Sequence, residues 1–304
     1  MGKPWLIYAL VTTLFWGVWG AFAEFPTRHG FPETLVYVVW TLTMIPPALY
    51  AMQRVGWRVQ RNGKSILLGS LIGFTGAGGQ MLLFHAVHTG PTYLIFPVIA
   101  LSPVVTIGLS MVFLRERVTR IGAIGVLLAL VALPLFNYSP AGGAGTAAEA
   151  GAGQGVTWFI YALIVLLAWG VQGYFMKLAN ATMDAENIFL YMTLTSLLLV
   201  PVALGMTDFS VPIEYGWQGP GLAAVTQILN AVGALTLVYA FRYGRALVVA
   251  PLANAGAPMI TAIVSMIVLG VVPTTVTVVA IVLAFLAAAL LAIEPEDKLV
   301  EQPV

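Results

Sequence analysis

Charge is what this chain most lacks: 8% of its 304 residues are charged, against about 25% in an ordinary soluble domain. With 60% of the residues hydrophobic, there is too little charge to build an aqueous exterior around the apolar remainder. Cysteine is absent, which excludes a disulfide framework, a thiolate metal site and a cysteine nucleophile. Histidine occurs three times, and His85 and His88, three apart, lack an obvious third and fourth ligand, so no metal centre is expected. The net charge of +1 gives no reason to expect a nucleic-acid partner. Also missing are an HExxH pair, a G-x-S-x-G nucleophile and paired mid-span aspartates, which argues against an intramembrane enzyme. The glycine run GFTGAGG at Gly73–Gly79 lacks the Gly-Lys-Ser/Thr ending of a phosphate loop and reads as a close-packing surface. No cofactor and no nucleotide-driven chemistry are expected of this chain.

What the chain has instead is apolar length. Runs of about 20 residues, enough for a helix to cross the hydrocarbon core, follow one another at 5–25, 33–52, 65–88, 93–114, 119–137, 157–178, 187–206, 220–242, 246–269 and 274–293. They are continuously apolar, without the alternation of a barrel wall, and only helices satisfy the backbone in lipid. The run from Trp5 to about Phe25 exceeds a secretory signal core, so it is read as a retained span. The expected fold is an all-α integral membrane protein of ten transmembrane helices, with the lipid bilayer as its surroundings. The segment at 138–156 is Gly/Ala-rich and reads as a flexible linker. A ten-span topology with the N-terminus in the cytoplasm places Lys3, Arg54, Arg58, Arg61, Lys64, Arg115, Arg117, Arg120, Lys177, Arg242, Arg245 and Lys298 on one side, leaving Arg28 on the other. Under the positive-inside rule both termini, including the tail at 294–304, are expected in the cytoplasm of a plasma membrane.

The halves repeat. Tyr8, Ala9, Leu10, Trp16, Gly17, Val18, Gly20 and Phe22 recur as Tyr161, Ala162, Leu163, Trp169, Gly170, Val171, Gly173 and Phe175, at an offset of 161 minus 8, or 153. Further on, Ala86, Gly90 and Pro97 match Ala240, Gly244 and Pro251 at 154, and Pro103, Ser110 and Met111 match Pro258, Ser265 and Met266 at 155. The units are 1–137 and 157–293. Five helices is an odd number, so the second unit is expected to enter the membrane inverted, an architecture that many secondary transporters use for alternating access.

With Trp16-Gly17 and Trp169-Gly170 in the first helix of each half and SMVFLRERVT at Ser110–Thr119, the chain resembles the drug/metabolite transporter superfamily, in particular its EamA branch. The resemblance runs over nearly the whole chain. Glu116 resembles the acidic position after that family's fourth helix, and Val271 is its counterpart in the second half. The resemblance implies a substrate pathway between the halves, lined mainly by the first, third and fourth helices of each, and a small-molecule metabolite as cargo. It implies neither a particular cargo nor an oligomeric state; a monomer is consistent with it.

Polar or amphipathic residues at mid-membrane depth are the candidates for that pathway: Trp16, Trp19, Gln80, Trp169, Gln172, Gln227, Asn230 and, shallower, Asn254. Buried amides are costly unless paired or facing a wet cavity, so each either lines the pathway or bonds helix to helix. Gln227 and Asn230, three apart, share a helix face that one ligand could reach. The absence of central charge suits a neutral or zwitterionic cargo. Near helix ends, Glu24, His85 and His88 would gather at the outer mouth and Lys177, Tyr239 and Arg242 at the inner one. Glu24 with His85 is the candidate titrating pair for gating or proton coupling, against the alternative that these groups only reach for the interface. Pro97 and Pro103 are expected to break the fourth helix, and Pro251 and Pro258 the ninth, as hinges. A non-transporting scaffold or sensor remains the competing reading of the whole chain.

Overall fold

The computed structural model describes residues 4–115, 119–136, 157–244, 246–270 and 274–292, and among them every regular element is helical. The linker at 138–156, the tail at 294–304, Glu116, Val271 and Arg245 lie outside the described residues. The first half contains α1 (Pro4–Phe22), a short α2 (Phe25–Arg28), α3 (Glu33–Arg54), α4 (Gly63–Thr89), α5 (Thr92–Ile99), α6 (Ser102–Phe113) and α7 (Arg120–Phe136). The second contains α8 (Thr157–Asn180), α9 (Ala185–Leu198), α10 (Val200–Met206), a π turn at Trp217–Gly221, α11 (Leu222–Tyr243), α12 (Ala246–Leu269) and α13 (Thr275–Ala292).

Among the described residues, seven helical segments are long and apolar enough to cross a membrane: Pro4–Arg28, Glu33–Arg54, Gly63–Thr89, Thr92–Phe113, Thr157–Asn180, Ala185–Met206 and Trp217–Tyr243. Shorter apolar stretches occupy Arg120–Ala132, Met259–Val268 and Val278–Ala287. The outer surface agrees with lipid as solvent. Ile7, Leu10 and Leu14 on α1 and Leu127, Leu130 and Val131 on α7 are exposed, an arrangement that water would penalise and acyl chains favour.

Local sequence explains where the helices break. The fourth segment divides at Ala100–Leu101, and Pro103 sits in the first turn of α6, where its missing N–H would be unpaired in any case. Pro201 plays the same part at the start of α10, a break the sequence reading did not anticipate. The expected break at Pro251 and Pro258 is corrected by the structure: α12 runs uninterrupted from Ala246 to Leu269. A proline removes only its own N–H, and a helix enclosed by neighbours, as α12 is by α1, α5, α6 and α13, is held in line despite that loss.

The two halves pack reciprocally. The first helix of each half lies against the third and fourth segments of the other: α1 on α11 and α12, and α8 on α4, α5 and α6. Small residues at matched positions permit the approach. A Cβ on Gly17 would meet the side chain of Ile260 and one on Gly170 that of Val105; 260 minus 105 is 155, the offset already seen in this helix. The polar contacts match as well. Thr261 donates to the Gly17 carbonyl at 3.0 Å and Thr106 to the Gly170 carbonyl at 2.8 Å. The glycine run of α4 is a packing surface, with Gly69 and Gly73 against Tyr191 and Thr195 of α9, and Gly76 and Gly79 against Gln172 and Trp169 of α8.

Candidate functional site

Where the two first helices meet, Trp16 and Trp169 stack with ring centroids 6.4 Å apart and planes inclined by 24°. Each indole reaches into the other half. Trp16 Nε1 donates to the Asn230 carbonyl at 3.0 Å, and Trp169 Nε1 to the Gly76 carbonyl at 3.4 Å. Residues 76 and 230 are 154 apart, so the two bonds are copies of one another. Gly79 and Gly233, again 154 apart, leave the room in which the two indoles lie.

Around this pair is a network of indoles and amides. Trp19 Nε1 donates to Gln227 Oε1 at 2.9 Å, and its ring meets Phe96 edge-on at 5.7 Å. Trp40 Nε1 donates to Asn230 Oδ1 at 3.1 Å, while Asn230 Nδ2 donates to Gln80 Oε1 at 3.4 Å. Asn230 thereby ties α3, α4 and α11 together. Gln80 and Asn230 are each 3% exposed, so every bond they lack is felt. Gln80 Nε2 and Gln227 Nε2 are buried without a partner among the described residues.

The network borders a cavity with about 630 Å³ of empty space, its mouth included. Its walls come from both halves: Trp16, Trp19, Trp40 and Met44 from α1 and α3; Gly73, Gly76, Ala77 and Gln80 from α4; and Trp169, Gln172, Gly173 and Met176 from α8, with Met192 of α9 and Asn230, Ala234, Leu237 and Phe241 of α11 completing it. Among the described residues, no ionisable side chain lines it. The chemistry on offer is therefore aromatic faces, polarisable thioethers and amides.

Of the residues expected from sequence, Trp16, Trp19, Gln80, Trp169, Gln172 and Asn230 line this cavity. Gln227 does not: it is fully buried behind Trp19 and holds that indole, so the shared face with Asn230 is not presented to one ligand. Asn254 lies in α12, with its side chain outside the described residues. Trp40, Met44 and Met192 were not anticipated. Trp40 stands two turns into α3, nearer its end than Trp16 and Trp169 are in their own spans.

The expected end groups are only partly brought together. Glu24 does not pair with His85: it bonds Arg28 at 2.7 Å and accepts from Thr92 at 2.9 Å. The short α2 turn puts Arg28 one turn past Glu24, a nearer partner than anything on α4. His85 instead faces Glu33 at 3.5 Å, and His88 is exposed. At the opposite end, Tyr239 donates to Glu186 at 2.7 Å. Arg242 donates to the carbonyls of Asn180 at 2.7 Å and Met183 at 2.9 Å. It thereby caps the end of α8, whose last carbonyls need donors and attract cations. Lys177 is half-buried in the last turn of α8.

Comparison with known proteins is consistent with this geometry. The model of the EamA-like transporter family matches twice, over residues 3–138 and 156–293. An uncharacterized protein of Methanocaldococcus jannaschii is 31% identical over 61 residues, 20% of this chain and 44% of that protein, so the match spans under half of the relative's length. A protein solved by crystallography superposes with a TM-score of 0.66 over 93% of this chain and 94% of its own, at 18% identity. At that identity the likeness is one of fold.

Proposed function

This chain belongs to the EamA-like transporter family, and on that premise we propose that it is a secondary transporter moving a small neutral or zwitterionic metabolite by alternating access. The observation that carries the reading is the uncharged cavity of tryptophans and amides whose walls come reciprocally from the two matched halves. With no ionisable group among the described residues that line it, the cavity offers nothing to balance a net charge on its cargo, and the cost of desolvating an unpaired ion in such a place is severe. Four indole faces favour flat or partly apolar surfaces, and the amides of Gln80 and Gln172 in the wall are the polar groups nearest a cargo's oxygens.

In this proposal the chain has ten transmembrane helices in two five-helix repeats of opposite orientation. Three further apolar helices, α7, α12 and α13, complete the count. Reciprocal packing of α1 and α8 supports inversion, since an axis between the stacked Trp16 and Trp169 relates each bond to its copy. The distribution of Lys and Arg supports cytoplasmic termini in a plasma membrane. The end of the bundle bearing Glu33 is then outer and the end bearing Glu186 inner.

The test is uptake of radiolabelled metabolites by proteoliposomes, with and without an imposed pH gradient. Saturable uptake of at least one uncharged or zwitterionic compound, competed by its analogues and lost in Trp169→Ala protein that still folds, is expected. Retention only of net-charged compounds, or uptake no greater than in empty liposomes across the panel, would refute the proposal. Stimulation by an inward proton gradient would establish proton coupling.

A further inference from the structure

The two ends of the bundle carry the same cluster in two chemical versions. Glu33 and Glu186 hold matching places 153 apart, as do Tyr8 and Tyr161, and His85 matches Tyr239 at 154. The structure assembles both sets. At one end, His85 Nδ1 is 3.5 Å from Glu33 Oε1 and its ring meets Tyr161 edge-on, with centroids 4.8 Å apart and planes at 80°. At the other, the Tyr239 hydroxyl donates to Glu186 Oε1 at 2.7 Å and its ring stacks on Tyr8 at 5.2 Å. Each cluster takes its carboxylate and one ring from one half of the chain and its tyrosine from the first helix of the other half. Each therefore fastens the halves together at one end only.

These clusters stand at the two ends of the helices that wall the cavity, and none of their side chains lines it. On α11, Tyr239 is level with the cavity-lining Leu237 and Phe241 but on the opposite face of the helix. His85 is five residues beyond the cavity-lining Gln80 on α4, about 7.5 Å along the helix. They are also unequally engaged, with 2.7 Å at the Glu186 end and 3.5 Å at the Glu33 end. A pathway that opens to one side at a time needs one end held and the other slack.

We infer that Tyr8, Tyr239 and Glu186 form the inner gate of the transport cycle and Tyr161, His85 and Glu33 the outer gate, and that the exchange of tyrosine for histidine makes only the outer gate respond to protons. The inference rests on the alternating-access reading above. Its chemistry is that of the two rings. A tyrosine stays neutral through the physiological range, whereas histidine gains a proton within it. Imidazolium facing the Glu33 carboxylate converts a long neutral contact into a charge-assisted one, so external acid favours the closed outer gate.

The groups around His85 give the proton no other partner among the described residues. Glu33 is the charged group that α3 presents, and α8 contributes the Tyr161 phenol. On α5 the titratable side chain is Tyr93, Glu24 and Arg28 are engaged with one another and with Thr92, and His88 on α4 is exposed. The inner cluster has Arg54 near Tyr239 and Tyr243 stacked on Tyr8, neither of which changes charge near neutral pH.

The natural absence of cysteine allows a direct test. Ala77→Cys places one thiol in the cavity wall, and its labelling by a membrane-impermeant maleimide is measured from each side of oriented, sealed vesicles. Each rate is divided by that of the same protein carrying His85→Tyr at the same pH, which cancels thiol ionisation. Between about pH 7.5 and 5.5 outside, this ratio for outer labelling is expected to fall by up to about fivefold, the range of a half-exposed ion pair. Tyr239→Phe, which removes the inner bond but keeps the ring, is expected to raise inner and lower outer labelling. A pH-independent ratio, or a Tyr239→Phe protein whose two rates do not move in opposite directions, overturns the gate assignment and leaves the transport reading standing. A thiol reached from the same single side in every variant contradicts alternating access itself.

Discussion

Asn230 is the residue on which the cavity network turns, and a double-mutant cycle between it and Trp40 measures how much. Its side chain accepts from Trp40 at 3.1 Å and donates to Gln80 at 3.4 Å. Asn230→Ala removes both bonds and leaves a buried indole N–H and a buried amide oxygen with nothing to pair. Polar contacts between membrane helices average about 0.6 kcal/mol and reach about 1.7. The two lost bonds together therefore cost about 1–3 kcal/mol, most of it in the shorter contact to Trp40. Trp40→Phe keeps an aromatic ring and removes the donor, which costs about 1 kcal/mol for the bond together with a packing loss. With both substitutions the Trp40 bond is absent from the start, so the double variant is expected to fall short of the sum of the singles by about 1 kcal/mol. The assay is denaturant unfolding in a fixed lipid–detergent mixture, with all four proteins measured together. Losses that add to within about 0.3 kcal/mol would mean the bond carries no coupling, and the account of Asn230 as the tie among α3, α4 and α11 would fall.

Three further outcomes follow from the same geometry. A Cβ on Gly79 lies 2.7 Å from Trp169 Nε1, whereas one on Gly78 meets nothing within 4 Å; Gly79→Ala should cost about 1–3 kcal/mol in unfolding and Gly78→Ala close to nothing. Thr106→Val and Thr261→Val each delete one member of a matched pair of bonds, so their unfolding losses should agree with one another, at about 0.6–1.7 kcal/mol each. Gln80→Leu removes a cavity-wall amide whose Nε2 has no partner among the described residues and whose Oε1 accepts from Asn230 at 3.4 Å; it should weaken cargo affinity by about 3- to 12-fold, the worth of one neutral hydrogen bond, and lower unfolding stability by about 0.6–1.7 kcal/mol for the lost Asn230 contact. Binding to purified protein, read beside the melting temperature, separates the two.

The helices were legible because their signal is length. A run of about 20 uncharged residues admits few alternatives, and helix boundaries such as Glu33–Arg54 fell within a few residues of expectation. Trp16 and Trp169 were legible because the repeat puts them in register at the centre of their spans. Trp40 was not, since its counterpart at 193 is a threonine and a lone tryptophan in an apolar run looks like any other large side chain. Glu33 and Glu186 were not legible for a different reason: an acidic residue in the first turn of a helix has a sufficient explanation in the helix dipole. Their 153 offset was present in the sequence, but only the rings beside them give it meaning. Gln227 shows the limit of facing arguments. Periodicity correctly put it on the side of Asn230, yet it is the Trp19 indole standing between that decides which amide meets the cavity. Proline position likewise fixed where a break could occur, at Pro103 and at Pro258, while packing decided that only the first would.

The claim that two matched halves enclose a cargo site reached alternately from either side is tested most directly by exchange across a sealed membrane. Proteoliposomes preloaded with an unlabelled neutral or zwitterionic metabolite are diluted into the labelled compound. The account predicts that labelled compound accumulates transiently above equilibrium, that internal cargo accelerates this entry, and that Trp169→Ala abolishes it in folded protein. Entry indifferent to internal cargo, or unchanged when Trp169 is removed, would contradict it.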